Sequence, residues 1–123
     1  QSVPTHCTAT GKVLTAWLEK SERLAARPES WKQLTPNTIA SGEALEKELK
    51  RVRELGYAVA NQEMESDFMA IAAPIRDEHG EVTAALVISG PASRIKPEDF
   101  ESLGHIVKQS ASKLSGNPDF WRE

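Results

Sequence analysis

The sequence predicts an α/β (α+β) domain in which helices flank an antiparallel sheet. Apolar residues recur at helical spacing near residues 9–19, 41–55 and 97–114, and the segment from Tyr57 to Ser89 contains three apolar runs with the composition of strands. A chain of 123 residues buries about two-thirds of its unfolded surface, which is enough for one hydrophobic core. We therefore expect one domain, over residues 1–123.

Charge and composition exclude several classes of protein. The chain carries 15 basic and 18 acidic residues, a net charge of −3, and acids interrupt its basic runs, which argues against a nucleic-acid surface. No apolar run approaches the ~18 residues of a membrane-spanning helix, and residues 1–4 lack the pattern of a signal peptide. Because Cys7 is the single cysteine, no intrachain disulfide can form. We expect a cytoplasmic protein that does not contact membranes.

The N-terminal third predicts one helix, a short helical piece and a loop. Thr8 or Thr10 can cap a helix over residues 9–19, and the short piece covers residues 22–26. Residues 28–40 contain two prolines and are predicted to form an ordered loop with a buried Trp31. The apolar stripe of the first helix consists of Val13, Leu14, Trp17 and Leu18.

The next helix has clear start and stop signals. Ser41 is a suitable N-cap, and Gly56 provides the C-terminal stop. Two i,i+4 pairs, Glu43/Lys47 and Glu46/Lys50, are expected on its solvated face. Its buried face is predicted to consist of Leu45, Leu49, Val52 and Leu55.

After Gly56 the pattern predicts three strands in an antiparallel meander. The first begins at Tyr57, the others cover residues 69–77 and 81–89, and Gly90-Pro91 ends the sheet. The later strands are rich in alanine, which leaves room beside the sheet for a helix, a neighbouring subunit or a ligand.

The last helix begins near Pro97 and ends at residues 116–118. Phe120 and Trp121 follow it, and these aromatic residues either dock onto the domain or contact a partner. The apolar face of the helix is predicted to consist of Phe100, Leu103, Val107, Ala111 and Leu114.

Four short motifs in order carry a family resemblance. They are Pro4-Thr5-His6-Cys7-Thr8-Ala9-Thr10-Gly11-Lys12, Gly56-Tyr57-Ala58, Ile71-Ala72-Ala73-Pro74-Ile75 and Ile88-Ser89-Gly90-Pro91. Together they resemble the C-terminal effector-binding domain of the IclR family of bacterial transcriptional regulators, over residues 3–115. The resemblance implies a GAF-like fold, ligand sensing, and a winged helix-turn-helix DNA-binding domain that is not in this chain.

The resemblance also implies that the opening strands of the family sheet are missing from this sequence. A sheet without them has an open edge, which favours pairing with a second copy. We therefore expect a homo-oligomer, either a dimer or a tetramer, whose DNA binding depends on a separate domain.

The resemblance places an effector pocket at the start of the first helix. Small residues there leave backbone amides for a carboxylate, although an ordinary capped helix start explains the same residues. Ala70 stands where some relatives have a cysteine, so an aromatic or more apolar acid is favoured over a small polar oxoacid. The candidate ligand-binding residues are Thr8, Ala9, Thr10, Gly11, Asn61, Phe68, Ala70, Val87 and Ser89.

The remaining reactive residues do not predict an enzyme, a metal site or a cofactor. His6 and Cys7 are neighbours whose side chains point to opposite faces, so a buried structural cysteine is favoured over a catalytic or redox-sensing one. Glu63 and Glu65 are expected to be exposed in a loop. His79 is predicted to lie in a solvated turn and His105 on the last helix, too scattered for a metal site. The motif at residues 8–12 also lacks the glycine and hydroxyl spacing of a nucleotide loop.

Two functions follow from these observations. The first is sensing of a small organic acid that alters DNA binding through a separate domain. The alternative is a ligand-free module for protein interaction and oligomerisation.

Overall fold

Helices cover both faces of a three-stranded sheet in the computed structural model, which describes residues 5–115. This architecture confirms the predicted fold class. None of the helices in this range is long and apolar enough to cross a membrane. The elements in chain order are α1 (Ala9–Ala16), α2 (Lys20–Ala25), α3 (Gly42–Leu55), β1 (Ala58–Asn61), β2 (Phe68–Arg76), β3 (Val82–Pro91), a 3-10 turn (Pro97–Asp99) and α4 (Phe100–Leu114).

Helix α1 is shorter and more deeply buried than the sequence predicts. Its N-cap is Thr8, whose Oγ1 accepts a hydrogen bond of 3.0 Å from the Gly11 amide, and its last residue is Ala16. The prediction of a single apolar stripe was wrong, because α1 packs against α3 and all three strands. Its buried residues are Ala9, Gly11, Lys12, Val13, Thr15 and Ala16.

Helix α2 begins two residues earlier than predicted, and the loop over residues 28–40 is confirmed. Trp31 is half-buried in this loop. The hydroxyls of Thr35 and Thr38 donate hydrogen bonds to the carbonyls of Gln62 and Glu63. These bonds attach the loop to the segment that follows β1.

Helix α3 confirms its predicted boundaries. The Ser41 Oγ accepts from the Ala44 amide at 3.2 Å, and Gly56 has φ +83°, the left-handed conformation that ends the helix. The exposed Glu43–Lys47 pair forms at 3.9 Å. The Glu46/Lys50 prediction was wrong, because Glu46 contacts Arg23 at 3.2 Å instead.

The sheet is the predicted meander, with order β1-β2-β3. Gly90 and Pro91 pair with Met69 and Phe68, so β3 extends two residues beyond the predicted Ser89, and the sheet ends at Pro91. One face carries alanines and packs on α1, which in turn packs on α3, and the three layers share one apolar cluster. The other face packs on α4 and carries Met69, Ile71, Ala73 and Ile75.

Helix α4 ends at Leu114, and its predicted apolar face is confirmed. The predicted stop at residues 116–118 and the aromatic residues Phe120 and Trp121 lie outside the described residues.

Candidate functional site

A cavity of about 300 Å³ lies between the N-terminal end of α1 and the sheet. All of the predicted ligand-binding residues except Gly11 and Asn61 line it. The structure therefore brings together side chains from the first helix and from three strands. The lining consists of Cys7, Thr8, Ala9, Thr10, Ala60, Met64, Phe68, Ala70, Val87 and Ser89.

The floor of the cavity is a row of small side chains across the sheet. Ala60 pairs with Ala70, and Ala70 pairs with Ser89, so the three residues lie side by side on one face. Side chains at i and i+2 share a face of a strand, which places Val87 beside Ser89. Because the side chains in this row are short, space remains between the sheet and the start of α1.

The other wall of the cavity is the first turn of α1. The first amides of a helix have no acceptor within the helix, and they lie at the positive end of its dipole. The Thr8 hydroxyl accepts from the amide of Gly11, while the amides of Ala9 and Thr10 belong to the same first turn. This wall is suited to an anionic group such as a carboxylate.

The mouth of the cavity exposes large apolar side chains. Met64, Phe68 and Val87 are 43%, 41% and 38% exposed. The lining residues that carry hydroxyl groups are Thr8, Thr10 and Ser89. The arrangement can therefore hold a molecule that has an apolar body and one acidic end.

Two predicted residues lie elsewhere. Gly11 is buried inside α1. Asn61 borders a different cavity, of about 530 Å³, between α3 and α4, and its carbonyl accepts from Asn37 at 3.0 Å. Because neighbouring strand residues face opposite sides, a strand that directs Ala60 to the candidate site directs Asn61 away from it.

Cys7 is a buried cysteine, as predicted, and the structure gives no sign of an activated nucleophile. Its side chain is 1% exposed and lines the cavity. Burial and the nearby Glu63 carboxylate raise the pKa of the Cys7 thiol, and the Lys12 ammonium acts in the opposite direction. His6 packs instead against Trp31, with ring centroids 5.8 Å apart. A raised pKa keeps the thiol protonated, which disfavours nucleophilic attack.

Lys12 forms a buried charged cluster that the sequence did not reveal. The residue is 0% exposed, and its Nζ contacts Glu48 Oε2 at 2.8 Å and Glu63 Oε1 at 2.8 Å. It also donates to the Val59 carbonyl at 2.9 Å. A lysine directly after Gly11 in an apolar helix gave only a weak indication of a buried charge. Its partners lie 36 or more residues away in the sequence, so no local pattern predicts them.

The prediction that Glu63 is exposed was wrong. Its side chain is 11% exposed rather than solvated, because Thr38 holds its carbonyl and Lys12 binds its carboxylate. Burial raises the pKa of Glu63, and the nearby ammonium of Lys12 partly opposes that rise. Glu65, in the same loop, is exposed as predicted.

The other titratable candidates do not converge on a site. His79 lies in the exposed hairpin turn as predicted, and His105 lies on α4 with its ring 6.4 Å from that of Tyr57. Within residues 5–115, no group of three or more histidine, cysteine or acidic side chains is arranged to hold a metal ion.

Comparison with known proteins identifies the family. The family model for the C-terminal domain of the bacterial transcriptional regulator IclR matches residues 1–116. The chain belongs to the IclR family. The match is to the C-terminal, effector-binding domain of bacterial transcriptional regulators.

Individual relatives agree with the family match. The IclR domain is 36% identical over 114 residues to the HTH-type transcriptional repressor AllR of Escherichia coli K12, covering 92% of this chain and 42% of the relative. The crystal structure of the Agobacterium tumefaciens repressor BlcR superposes with a TM-score of 0.84 at 31% identity, over 92% of this chain and 46% of that chain. The chain thus spans less than half the length of these relatives.

A third relative has been crystallised with a bound ligand. The inducer-binding domain of the PobR transcription factor from Acinetobacter, a double mutant in complex with 3-hydroxybenzoic acid, superposes with a TM-score of 0.82 at 29% identity. The match covers 91% of this chain and 65% of that chain.

Proposed function

We propose that this domain senses a small organic acid, with an aromatic acid favoured, in the cavity at the N-terminus of α1. The single observation that carries the proposal is the combination of an apolar floor and mouth with a helix N-terminus in one wall. The solved complex of the PobR domain with 3-hydroxybenzoic acid supports the choice of an aromatic acid. In the whole regulator, binding controls DNA recognition by a separate winged helix-turn-helix domain.

The cavity residues have separate roles in this proposal. The first turn of α1, at Ala9 and Thr10, receives the carboxylate, and the hydroxyls of Thr8 and Ser89 bind polar substituents. Val87 and Phe68 cover the apolar body, and Ala70 leaves the space for it. Ligand binding stabilises the arrangement of α1 against the sheet, and it shifts the regulator toward whichever quaternary state holds α1 in that position.

Thermal unfolding with a ligand panel tests the proposal. The panel contains benzoate, 3-hydroxybenzoate, glyoxylate and succinate, each at the same ionic strength. A ligand at ~100 times its Kd raises the free energy of unfolding by about 2.7 kcal/mol, and the Tm by several degrees in a domain of this size. We expect the largest rise with an aromatic acid. Tight binding of glyoxylate without any response to the aromatic acids would overturn the ligand class.

A pair of adjacent substitutions tests the location. Val87→Asp places a negative charge in the cavity mouth, whereas Ile88→Asp places it on the opposite face of the same strand. Both side chains are about equally exposed, at 38% and 36%, so the two changes are matched in their effect on the strand. Val87→Asp is expected to abolish the ligand-induced rise in Tm, and Ile88→Asp to preserve it.

Assembly without a ligand is the second candidate function. It is favoured by β3, which has a strand partner on one side only among residues 5–115 and carries the exposed Val87 and Ile88. Light scattering at micromolar concentration measures self-association directly. A dimer or tetramer that responds to no acid would favour this function, and a monomer would count against oligomerisation through this edge.

A further inference from the structure

A second cavity, of about 350 Å³, lies at the opposite end of α1 from the candidate effector site. It shares no lining residue with that site. Its wall contains three basic side chains, Arg53, Arg76 and Lys108, which come from α3, β2 and α4. In a chain with a net charge of −3, three cations around one cavity need an explanation.

Backbone carbonyls hold each of these cations in place. Arg53 Nη1 donates to the Ala16 carbonyl at 2.7 Å, and Lys108 Nζ donates to the Leu55 carbonyl at 3.2 Å, at the C-terminal ends of α1 and α3. The stem of Lys108 lies over Gly56, where a Cβ would be 2.7 Å from its Cε. The negative ends of two helix dipoles therefore favour cations at this position.

The carbonyls do not exhaust the binding capacity of the cations. A guanidinium has five N–H donors and an ammonium has three. Within residues 5–115, none of the three has a carboxylate within 4.0 Å, whereas Lys12, Arg23, Arg27 and Lys47 do. The lining contains one acid, Glu54, so the side chains around the cavity carry a local charge of about +2.

Trp17 supplies an apolar wall and fixes Arg76. The Arg76 guanidinium lies 5.0 Å from the centroid of the Trp17 ring, and its Nη1 donates to the Gly80 carbonyl at 2.8 Å. Both residues also border a neighbouring cavity that contains three acids, Glu19, Glu22 and Glu81. Arg53 and Lys108 do not border this neighbouring acidic cavity, so they are the better positions for substitution.

We propose that this cavity is a second ligand site, specific for a small dianion, either a tetrahedral oxyanion such as a phosphate or a dicarboxylate. A dianion matches the local charge, and the unused donors of Arg53, Arg76 and Lys108 can bind its oxygens from three sides. The concave shape and the overall negative charge of the chain favour a small anion over a nucleic-acid backbone. The site is independent of the proposed effector cavity.

NMR titration of the 123-residue chain tests the proposal through the indole N–H signal of Trp17, assigned with Trp17→Phe. The probes are sodium sulfate, sodium phosphate and sodium succinate, each against sodium chloride at matched ionic strength. Concentrations stay in the low millimolar range, because sulfate and phosphate at high concentration stabilise any folded protein. The control for Lys108→Gln is Lys113→Gln on α4, and the control for Arg53→Gln is Lys50→Gln on α3. Each control removes one positive charge at an exposed position of the same helix, outside the cavity.

We expect a saturable shift of the Trp17 signal with at least one dianion and none with chloride. Binding is expected to weaken about tenfold in Lys108→Gln and in Arg53→Gln, and to change little in the two controls. Saturation with sulfate and phosphate alone would assign a tetrahedral oxyanion, and saturation with succinate alone a dicarboxylate. Equal binding by Lys108→Gln and Lys113→Gln, a response to chloride, or no saturable shift with any of the three dianions would overturn the proposal.

Discussion

At the scale of single residues, Lys12 is a charged side chain that is fully buried. Its ammonium is fully buried between carboxylates from α3 and from the segment after β1. A buried charge is tolerated only when partners satisfy it, and Glu48, Glu63 and the Val59 carbonyl do so here. One side chain therefore connects three parts of the chain that are distant in sequence.

Replacing Lys12 with methionine is expected to destabilise the domain strongly. The change keeps the side-chain volume but leaves Glu63 as a buried carboxylate without its cation. Removal of one partner of a buried pair costs ~3–5 kcal/mol, and partial exposure of both carboxylates reduces this to about 2–4 kcal/mol. Urea unfolding measures the loss.

The control for this prediction is Lys50→Met, an exposed position on α3. Its free energy of unfolding is expected to stay within about 0.5 kcal/mol of the wild type. The double variant Lys12→Met/Glu63→Gln should regain part of the loss, because it also removes the isolated charge. Equal stabilities of Lys12→Met and Lys50→Met would refute the structural role of Lys12.

Glu63 is expected to make stability depend on pH. Its folded-state pKa is raised above the usual value of 4.5 by burial, so the native state binds more protons than the unfolded state between 4.5 and the raised value. The free energy of unfolding contributed by Glu63 therefore falls as the pH rises through that window. Urea unfolding from pH 4 to pH 7 should show the stability of the wild type decreasing relative to Glu63→Gln. If the free energy of unfolding of the wild type, relative to that of Glu63→Gln, stays constant or increases as the pH rises, the prediction is wrong.

At the scale of elements, small residues determine how closely the layers approach. The alanines of β1 and β2 allow α1 to lie close to the sheet, and Gly104 does the same for α4. A Cβ at Gly104 would lie 2.4 Å from the Tyr57 ring, and Tyr57 is buried between α4 and the sheet. The helix therefore packs directly on an aromatic ring.

Gly104→Ala is expected to destabilise the domain, although alanine normally stabilises a helix interior by about 1 kcal/mol relative to glycine. The added methyl group must displace either Tyr57 or α4, which costs ~1–3 kcal/mol for an overpacked core. Thermal unfolding should show a lower Tm. Ser110→Ala, at an exposed position of the same helix, serves as the control and is expected to have an unchanged or slightly higher Tm.

At the scale of the whole molecule, the two faces of the sheet have different roles. The α4 face is filled by Met69, Ile71, Ile75 and Val107. The α1 face ends in a cavity, because its strands supply alanine and serine at that end. The first face is therefore a filled apolar core, and the second carries the cavity in which we propose that a ligand binds.

The charge of the whole chain leads to a prediction about nucleic acid. With a net charge of −3, and with several basic side chains of residues 5–115 paired to acids, we do not expect the domain to neutralise the phosphates of a duplex. Fluorescence anisotropy with a labelled duplex of about 20 base pairs at ~100 mM salt is expected to show no binding at ~10 µM protein. Salt-dependent binding would place DNA contacts within this chain.

Much of the fold could be predicted because its signals are local. Ser41 and Gly56 define α3 through capping and a left-handed backbone, both of which depend on adjacent residues. The three strands and the Asp77–Gly80 turn between β2 and β3 are also specified by residues that are close in sequence. The end of α1 was placed three residues too late, because contacts with α3 and the sheet, rather than its own sequence, define the buried surface of that helix.

The sequence alone determined the family, the order of elements, the meander and the set of small residues at the start of α1. Only the tertiary structure decided which of these residues share a cavity, that Asn61 faces away from it, that Lys12 and Glu63 form a buried pair, and that Arg53, Arg76 and Lys108 surround one space. Helix caps, turns and periodicity depend on interactions between residues close in sequence. Cavities and buried charges depend on side chains tens of residues apart, whose meeting is specified by the packing of the complete fold.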